Sequence, residues 1–158
     1  MQTITPFLWF DDQAEEAANF YVSIFKNSKI TSLNRLPEGS PGPAGKVMTA
    51  TFQLDGQEFM ALNGGPQHFS FNESISFFVN CETQLEVDRL WEKLSAGGAP
   101  GQCGWLKDKF GVSWQIVPSA LGQLLGDPDP QKSQRVMQAM LKMTKIDVAE
   151  LRRAYAQK

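Results

Sequence analysis

The chain has 158 residues, 42% of them hydrophobic, with 15 basic and 17 acidic side chains and a formal net charge of −2. That much apolar surface suits one domain or two small modules sharing a core, and the interspersed charge leaves no electrostatic footprint for nucleic acid or an anionic membrane. No apolar run approaches a membrane span and residues 1–10 lack a basic-then-apolar leader, so a cytoplasmic location is expected.

Residues 3–10 read as a strand that Pro6 marks as an edge or entry segment. From Asp12 the period becomes helical. Ala14, Ala17, Ala18, Phe20, Tyr21, Ile24 and Phe25 form one stripe, Glu15, Glu16 and Asn19 face out, and Asp12 with Glu15 reads as the N-terminal cap. Residues 30–36 return to a strand pattern. The Pro- and Gly-rich stretch 37–45 is a loop, either a lid over a site or a variable hairpin connection. Strands at 46–54 and 57–63 are joined by Asp55 and Gly56, a strong hairpin signal. Gly64, Gly65 and Pro66 end the second strand; Pro66 and the lack of a following helix argue against phosphate binding.

Residues 74–81 read as a strand with Ile75, Phe77 and Val79 on one face and Ser74, Ser76 and Phe78 on the other. A helix over 83–95 follows, with Val87, Leu90, Trp91 and Leu94 as its stripe. The Gly and Pro turn at 96–101 leads to a short strand near 102–106. A charged turn ending at Gly111 then feeds a strand with Val112, Trp114 and Ile116 on one face and Ser113, Gln115 and Val117 on the other. Shifting the sequence by 70 residues lays 7–24 on 77–94, so that Ala17, Phe20, Tyr21 and Ile24 fall on Val87, Leu90, Trp91 and Leu94.

This repeat predicts an α+β fold of two βαβββ-type modules, at about 1–66 and 74–118, forming a cupped mixed sheet with the helices outside. Residues 1–118 make one domain in this reading. Residues 119–158 form a helical extension packed on that domain or on a partner subunit. It carries apolar residues at 120–125, a helix over 131–143 with Val136, Met137, Met140, Leu141 and Met143, and a last helix that Asp147 and Glu150 cap. The methionine stripe suits pairing, so a homodimer is expected.

The two cysteines, Cys81 and Cys103, form neither a CxxC nor a disulfide framework. Cys81 reads as a packed thiol; Cys103, between Gly101 and Gly104, has room for a reactive role. His68 is the sole histidine, which excludes any two-histidine metal or catalytic site within the chain.

Pro6 to Phe10 ahead of the helix ending in Phe20 and Tyr21, the segment 61–66 (ALNGGP), the segment 104–118 (GWLKDKFGVSWQIVP) and Lys145, Ile146 and Asp147 together resemble the vicinal oxygen chelate superfamily. That superfamily includes glyoxalase I, bleomycin resistance proteins and ring-cleaving dioxygenases. More specifically, the chain resembles its PhnB-like branch, whose domains often carry a 3-demethylubiquinone 3-methyltransferase label. In metal-dependent members the ligands come from the first and last strands of each unit. Those positions correspond here to Thr5 or Ile4, to Met60 or Ala61 with Asn63 nearby, to Ser74 and to Gln115. Only Gln115 resembles a ligand used by relatives, and a neutral amide with two hydroxyls holds a divalent metal weakly, so no metal and no cofactor are expected.

The resemblance instead implies a small-molecule pocket in the cup between the two modules. Gln115 would both donate and accept in it, Ser113, Ser74, Ser76, Thr5 and Asn63 would line it with Cys103, and Trp9 and Trp105 would wall it. The plain alternative is that each of these groups only satisfies the backbone or holds water. No glycine-rich strand-to-helix turn with a following acidic residue supports the methyltransferase label. Two functions follow: an enzyme drawing on Gln115, Cys103 or the Asp108 carboxylate, or a protein that binds a small, partly aromatic molecule.

Overall fold

The computed structural model describes residues 2–42 and 44–157 and divides the chain into two units, Met1–Phe69 and Ser70–Lys158. Met1, Pro43 (in the predicted 37–45 loop) and Lys158 lie outside the described residues.

The first unit runs β1 (Phe7–Phe10), α1 (Ala14–Ile24), β2 (Lys29–Arg35), β3 (Val47–Leu54) and β4 (Gln57–Asn63). Its sheet has the order β1-β4-β3-β2, with β1 parallel to β4 and the other pairs antiparallel. Alternation gives the sheet two faces. Leu8, Phe10, Ala50, Phe52 and Ala61 are buried toward α1, whose Ala14, Ala17, Ala18, Tyr21 and Ile24 meet them. Tyr21 stacks on Phe52 at 6.2 Å between ring centroids. On the opposite face Phe7 and Trp9 stay exposed. The hairpin forms at Asp55 and Gly56, both at positive φ (50° and 79°).

Two local expectations are corrected here. The first strand begins at Phe7 rather than at residue 3, so Thr5 precedes it. The Asp12 and Glu15 cap does not form: α1 starts at Ala14 behind Gln13, which makes no side-chain cap bond, and Glu15 pairs with Arg35 at 3.2 Å. The first helical amide is satisfied from far along the chain, by Asn63 Oδ1 at 2.8 Å from Ala14 N.

The second unit runs β5 (Ser76–Cys81), α2 (Gln84–Ser95), β6 (Ala99–Pro100), β7 (Trp105–Lys107) and β8 (Ser113–Pro118). Three further helices follow: α3 (Ser119–Leu125), α4 (Pro130–Leu141) and α5 (Val148–Ala156). The sheet order β5-β8-β7-β6, with β5 parallel to β8, repeats that of the first unit. Val87, Leu90 and Leu94 of α2 and Leu106, Trp114 and Ile116 of the sheet are buried, so the chain is an α+β protein of two βαβββ modules with a helical extension. Strand β5 starts at Ser76, not 74. Ser74 is held in a turn by Asn72 Oδ1, which accepts from both its amide and its hydroxyl, and Ile75 is 73% exposed instead of lying on the inner face. The expected turn at 96–101 contains β6, whose Ala99 and Pro100 pair with Lys107 and Leu106.

The extension has its own apolar cluster of Val117, Leu121, Val136, Ile146 and Leu151, joined by Met140 and Met143. The methionine stripe therefore splits: Val136, Met140 and Met143 turn inward, while Met137 and Leu141 stay exposed, at 40% and 57%. Gln84 ties the start of α2 to this cluster. Its amide donates to Ile146 O (3.0 Å) and accepts from Val148 N (2.7 Å), and Lys145 bonds Asp88 at 2.9 Å.

Candidate ligand site on the second unit

The segment 104–118 is organised by one carboxylate. Asp108 is 2% exposed; its Oδ1 accepts from Phe110 N (2.9 Å) and Val112 N (3.1 Å), and its Oδ2 accepts from the Trp114 indole Nε1 (2.9 Å). Its own amide donates to Val112 O at 2.9 Å, and its carbonyl accepts from Gly111 N at 3.0 Å. These bonds close the turn between β7 and β8 and lock Trp114 into the core. The Asp108 carboxylate, named above as a possible chemical group, serves the turn.

That turn sets the register of the opposite face. Trp105 pairs with Gln115 and Lys107 with Ser113 across β7 and β8, while Ser76 and Phe78 of β5 lie beside Ser113 and Gln115. Alternation puts Ser76, Phe78, Ser113, Gln115, Trp105 and Lys107 on the face that α2 leaves uncovered. The Gln115 amide donates to Ser76 Oγ at 2.9 Å. A groove of about 640 Å³ runs along this face, lined by Trp105, Ser113, Cys103, Gln102, Pro100 and the Glu73–Lys107 ion pair, among others. Ser113 is 2% exposed, and among the described residues no protein group bonds its Oγ. An unpaired buried hydroxyl costs about 1–3 kcal/mol. Lys107 Nζ lies 2.7 Å from Glu73, and this bond holds the Glu73 carboxyl below its ordinary range.

The structure thus brings Ser113, Trp105 and Cys103 together along one groove, with Gln115 and Ser76 bonded to each other beside it. Ser74 lies in the turn before β5, its hydroxyl bonded to Asn72. Cys103 takes φ of +57°, a conformation that few non-glycine residues adopt. Glu73, Gln102 and Lys107 were not singled out from the sequence; Lys107 was accessible to that reading, because it alternates with Trp105.

In the first unit the predicted residues have other partners. Asn63 accepts from Ala14 N and donates to Val47 O (2.9 Å), so its amide holds α1 to the hairpin. Thr5 donates to Glu58 at 3.3 Å. The Trp9 indole donates to Gly65 O at 3.0 Å and lies on Gly64, where an added Cβ would come within 2.2 Å of the ring. The glycine pair of 61–66 is therefore a seat for Trp9. Among the described residues no three His, Cys, Asp or Glu side chains gather closely enough to hold a metal. Of the carried-over donors, the Gln115 amide nitrogen donates to Ser76 Oγ and the Ser74 hydroxyl donates to Asn72 Oδ1.

Residues 2–117 match the family model described as 3-demethylubiquinone-9 3-methyltransferase. Among solved structures, a Bacillus cereus PhnB protein that carries the same methyltransferase description provisionally is 44% identical, over 75% of this chain and 100% of its own, with a TM-score of 0.70. A Pseudomonas aeruginosa protein at 23% identity, covered over 98% of its length and 75% of this chain, gives a TM-score of 0.62 and shares the fold. An Arabidopsis thaliana gene product at 18% identity, covered over 96% of its length and 72% of this chain, shares it with a TM-score of 0.50. No curated protein matches the chain. Residues 118–158 lie beyond the family match.

Proposed function

Because the chain belongs to the PhnB-like, 3-demethylubiquinone-9 3-methyltransferase family of the vicinal oxygen chelate superfamily, we propose that it binds a small, partly aromatic organic molecule without a metal, on the open face of its second sheet. The observation that carries this reading is the groove of about 640 Å³ with Trp105 as a wall and the buried, unpaired Ser113 hydroxyl at its side. Its volume lies in the range of small-molecule sites, which combine apolar walls with a few placed polar groups. Trp105 offers a flat surface for a ring, Ser113 a hydrogen bond, and Lys107 a cation at the rim.

Ligand-observed NMR with methoxyphenols and hydroxybenzoates tests the proposal. Binding is expected, with Ser113→Ala weakening it about three- to tenfold, the range of one neutral hydrogen bond. Binding that is unchanged in both Ser113→Ala and Trp105→Ala contradicts it.

The family description favours a second reading, an enzyme acting on a quinone-like or other small substrate. The turns from β1 into α1 (Asp11, Asp12, Gln13) and from β5 into α2 (Glu82, Thr83) contain no glycine, so neither offers the cradle of a doubly wound nucleoside site. Turnover of a probe, abolished by groove substitutions, would favour this second reading. The proposal also includes a cytoplasmic location and pairing with a second copy; sedimentation at micromolar concentration is expected to show the dimer mass, and a monomer contradicts the pairing.

A further inference from the structure

The extension beyond the family match reaches the groove through its backbone. Gln102 to Trp105 form a tight turn in which Trp105 N donates to Gln102 O at 3.0 Å and Cys103 and Gly104 take φ of +57° and +85°. Two positive φ values in succession suit Asn-Gly or Gly-Gly, and a cysteine at the first needs support from its surroundings. That support comes from the segment between α4 and α5. Cys103 N donates to Met143 O and Gly104 N to Thr144 O, each at 2.8 Å. A Cβ at Gly104 would lie 3.1 Å from Ile146 and 2.9 Å from Ile116 O, so Ile146 closes directly over the turn. Both Cys103 and Trp105 line the groove.

We propose that residues 143–146 act as a clamp that holds the Cys103–Gly104 turn in its left-handed form and so sets the groove wall formed by Cys103 and Trp105. Ile146 is the positioning residue of this device, and Gln84, bonded to Ile146 O and Val148 N, anchors the clamp from α2. The inference rests on the groove being the ligand site, but its test needs no ligand.

The test uses the full chain and two reporters, amide exchange followed by NMR and iodoacetamide labelling of Cys103 followed by mass spectrometry. In Ile146→Ala, exchange at Cys103 and Gly104 and labelling of Cys103 are expected to rise roughly tenfold or more, as local opening without global unfolding predicts. The Val112 amide, held by Asp108, and buried Cys81 should stay at wild-type rates, and Ile146→Val should restore the Cys103 and Gly104 rates. The proposal is overturned if the Val148 amide speeds up while Cys103 and Gly104 do not. It is equally overturned if Val112 and Cys81 open together with them, which would make Ile146 an ordinary core residue. Should Ile146→Ala fail to fold, Gln84→Leu, which touches neither the turn nor the groove, is read by the same two outcomes. Loss of the clamp effect with intact probe binding would refute this inference alone, and loss of probe binding with an intact clamp would refute only the proposed function.

Discussion

Asp108 shows how a charged residue becomes a framework part when its oxygens meet three donors, two in its own turn and one on the strand that follows. Replacing it with alanine leaves the Phe110 and Val112 amides and the Trp114 indole without their acceptor, and a loss of about 3–5 kcal/mol in urea unfolding is expected. Asp108→Asn keeps an acceptor oxygen and should lose less. The two cysteines separate by environment. Burial, with Glu86 nearby as a lesser cause, pushes the Cys81 thiol up to about 12, whereas Cys103 is partly exposed. At pH 8 iodoacetamide should therefore modify Cys103 and leave Cys81 intact until denaturant is added; equal labelling would contradict the packing described. At this scale the sequence was legible where strand alternation decides the outcome, which placed Gln115 and Ser113 on one face, while the pairing of Trp105 with Gln115 comes from the strand register. It was silent where a side chain chooses among partners. Nothing local says that the Gln115 amide goes to Ser76, that Asp108 turns inward, or that Glu73 reaches Lys107.

At the scale of elements, the repeat was readable because hydrophobic periodicity survives in both helices, and α1 and α2 begin at Ala14 and Gln84, in step with the sequence shift. The register is lost afterwards, where the second unit has the short strands β6 and β7 in the places of the longer β2 and β3. The helix start was misread because its cap comes from Asn63 on another strand, a partner that only the tertiary fold supplies. Asn63→Ala should cost about 1–3 kcal/mol in urea unfolding through the lost Ala14 and Val47 bonds; a neutral result would show that water caps the helix as well. In the extension, Tyr155 donates to Asp127 Oδ2 at 2.6 Å, a bond that lowers the Asp127 pKa and raises that of Tyr155. The lowered carboxylate contributes stability that disappears as pH falls below the ordinary value of 3.8, and the raised phenol contributes stability that disappears as pH rises above 10.0. Wild type should thus be more stable than Tyr155→Phe across the neutral range and lose that advantage at both extremes, as thermal melts against pH will read out.

For the whole molecule, two βαβββ units explain the family assignment, and the extension is an addition stitched to the second unit at Gln84, Cys103 and Gly104. The motifs that carry the resemblance turn out to be chiefly structural. Gly64 and Gly65 seat Trp9, and Asp108 ties its turn to Trp114, so they report fold more directly than chemistry. The groove on the second unit carries the functional claim, and its side chains are neutral apart from one ion pair. The most direct test is native mass spectrometry of the full chain purified without added ligand, paired with elemental analysis. The account predicts a retained small organic molecule at near-stoichiometric level, lost in the Trp105→Ala and Ser113→Ala double variant, with no stoichiometric metal. A metal that resists dialysis, or a molecule held equally well by the double variant, would contradict it.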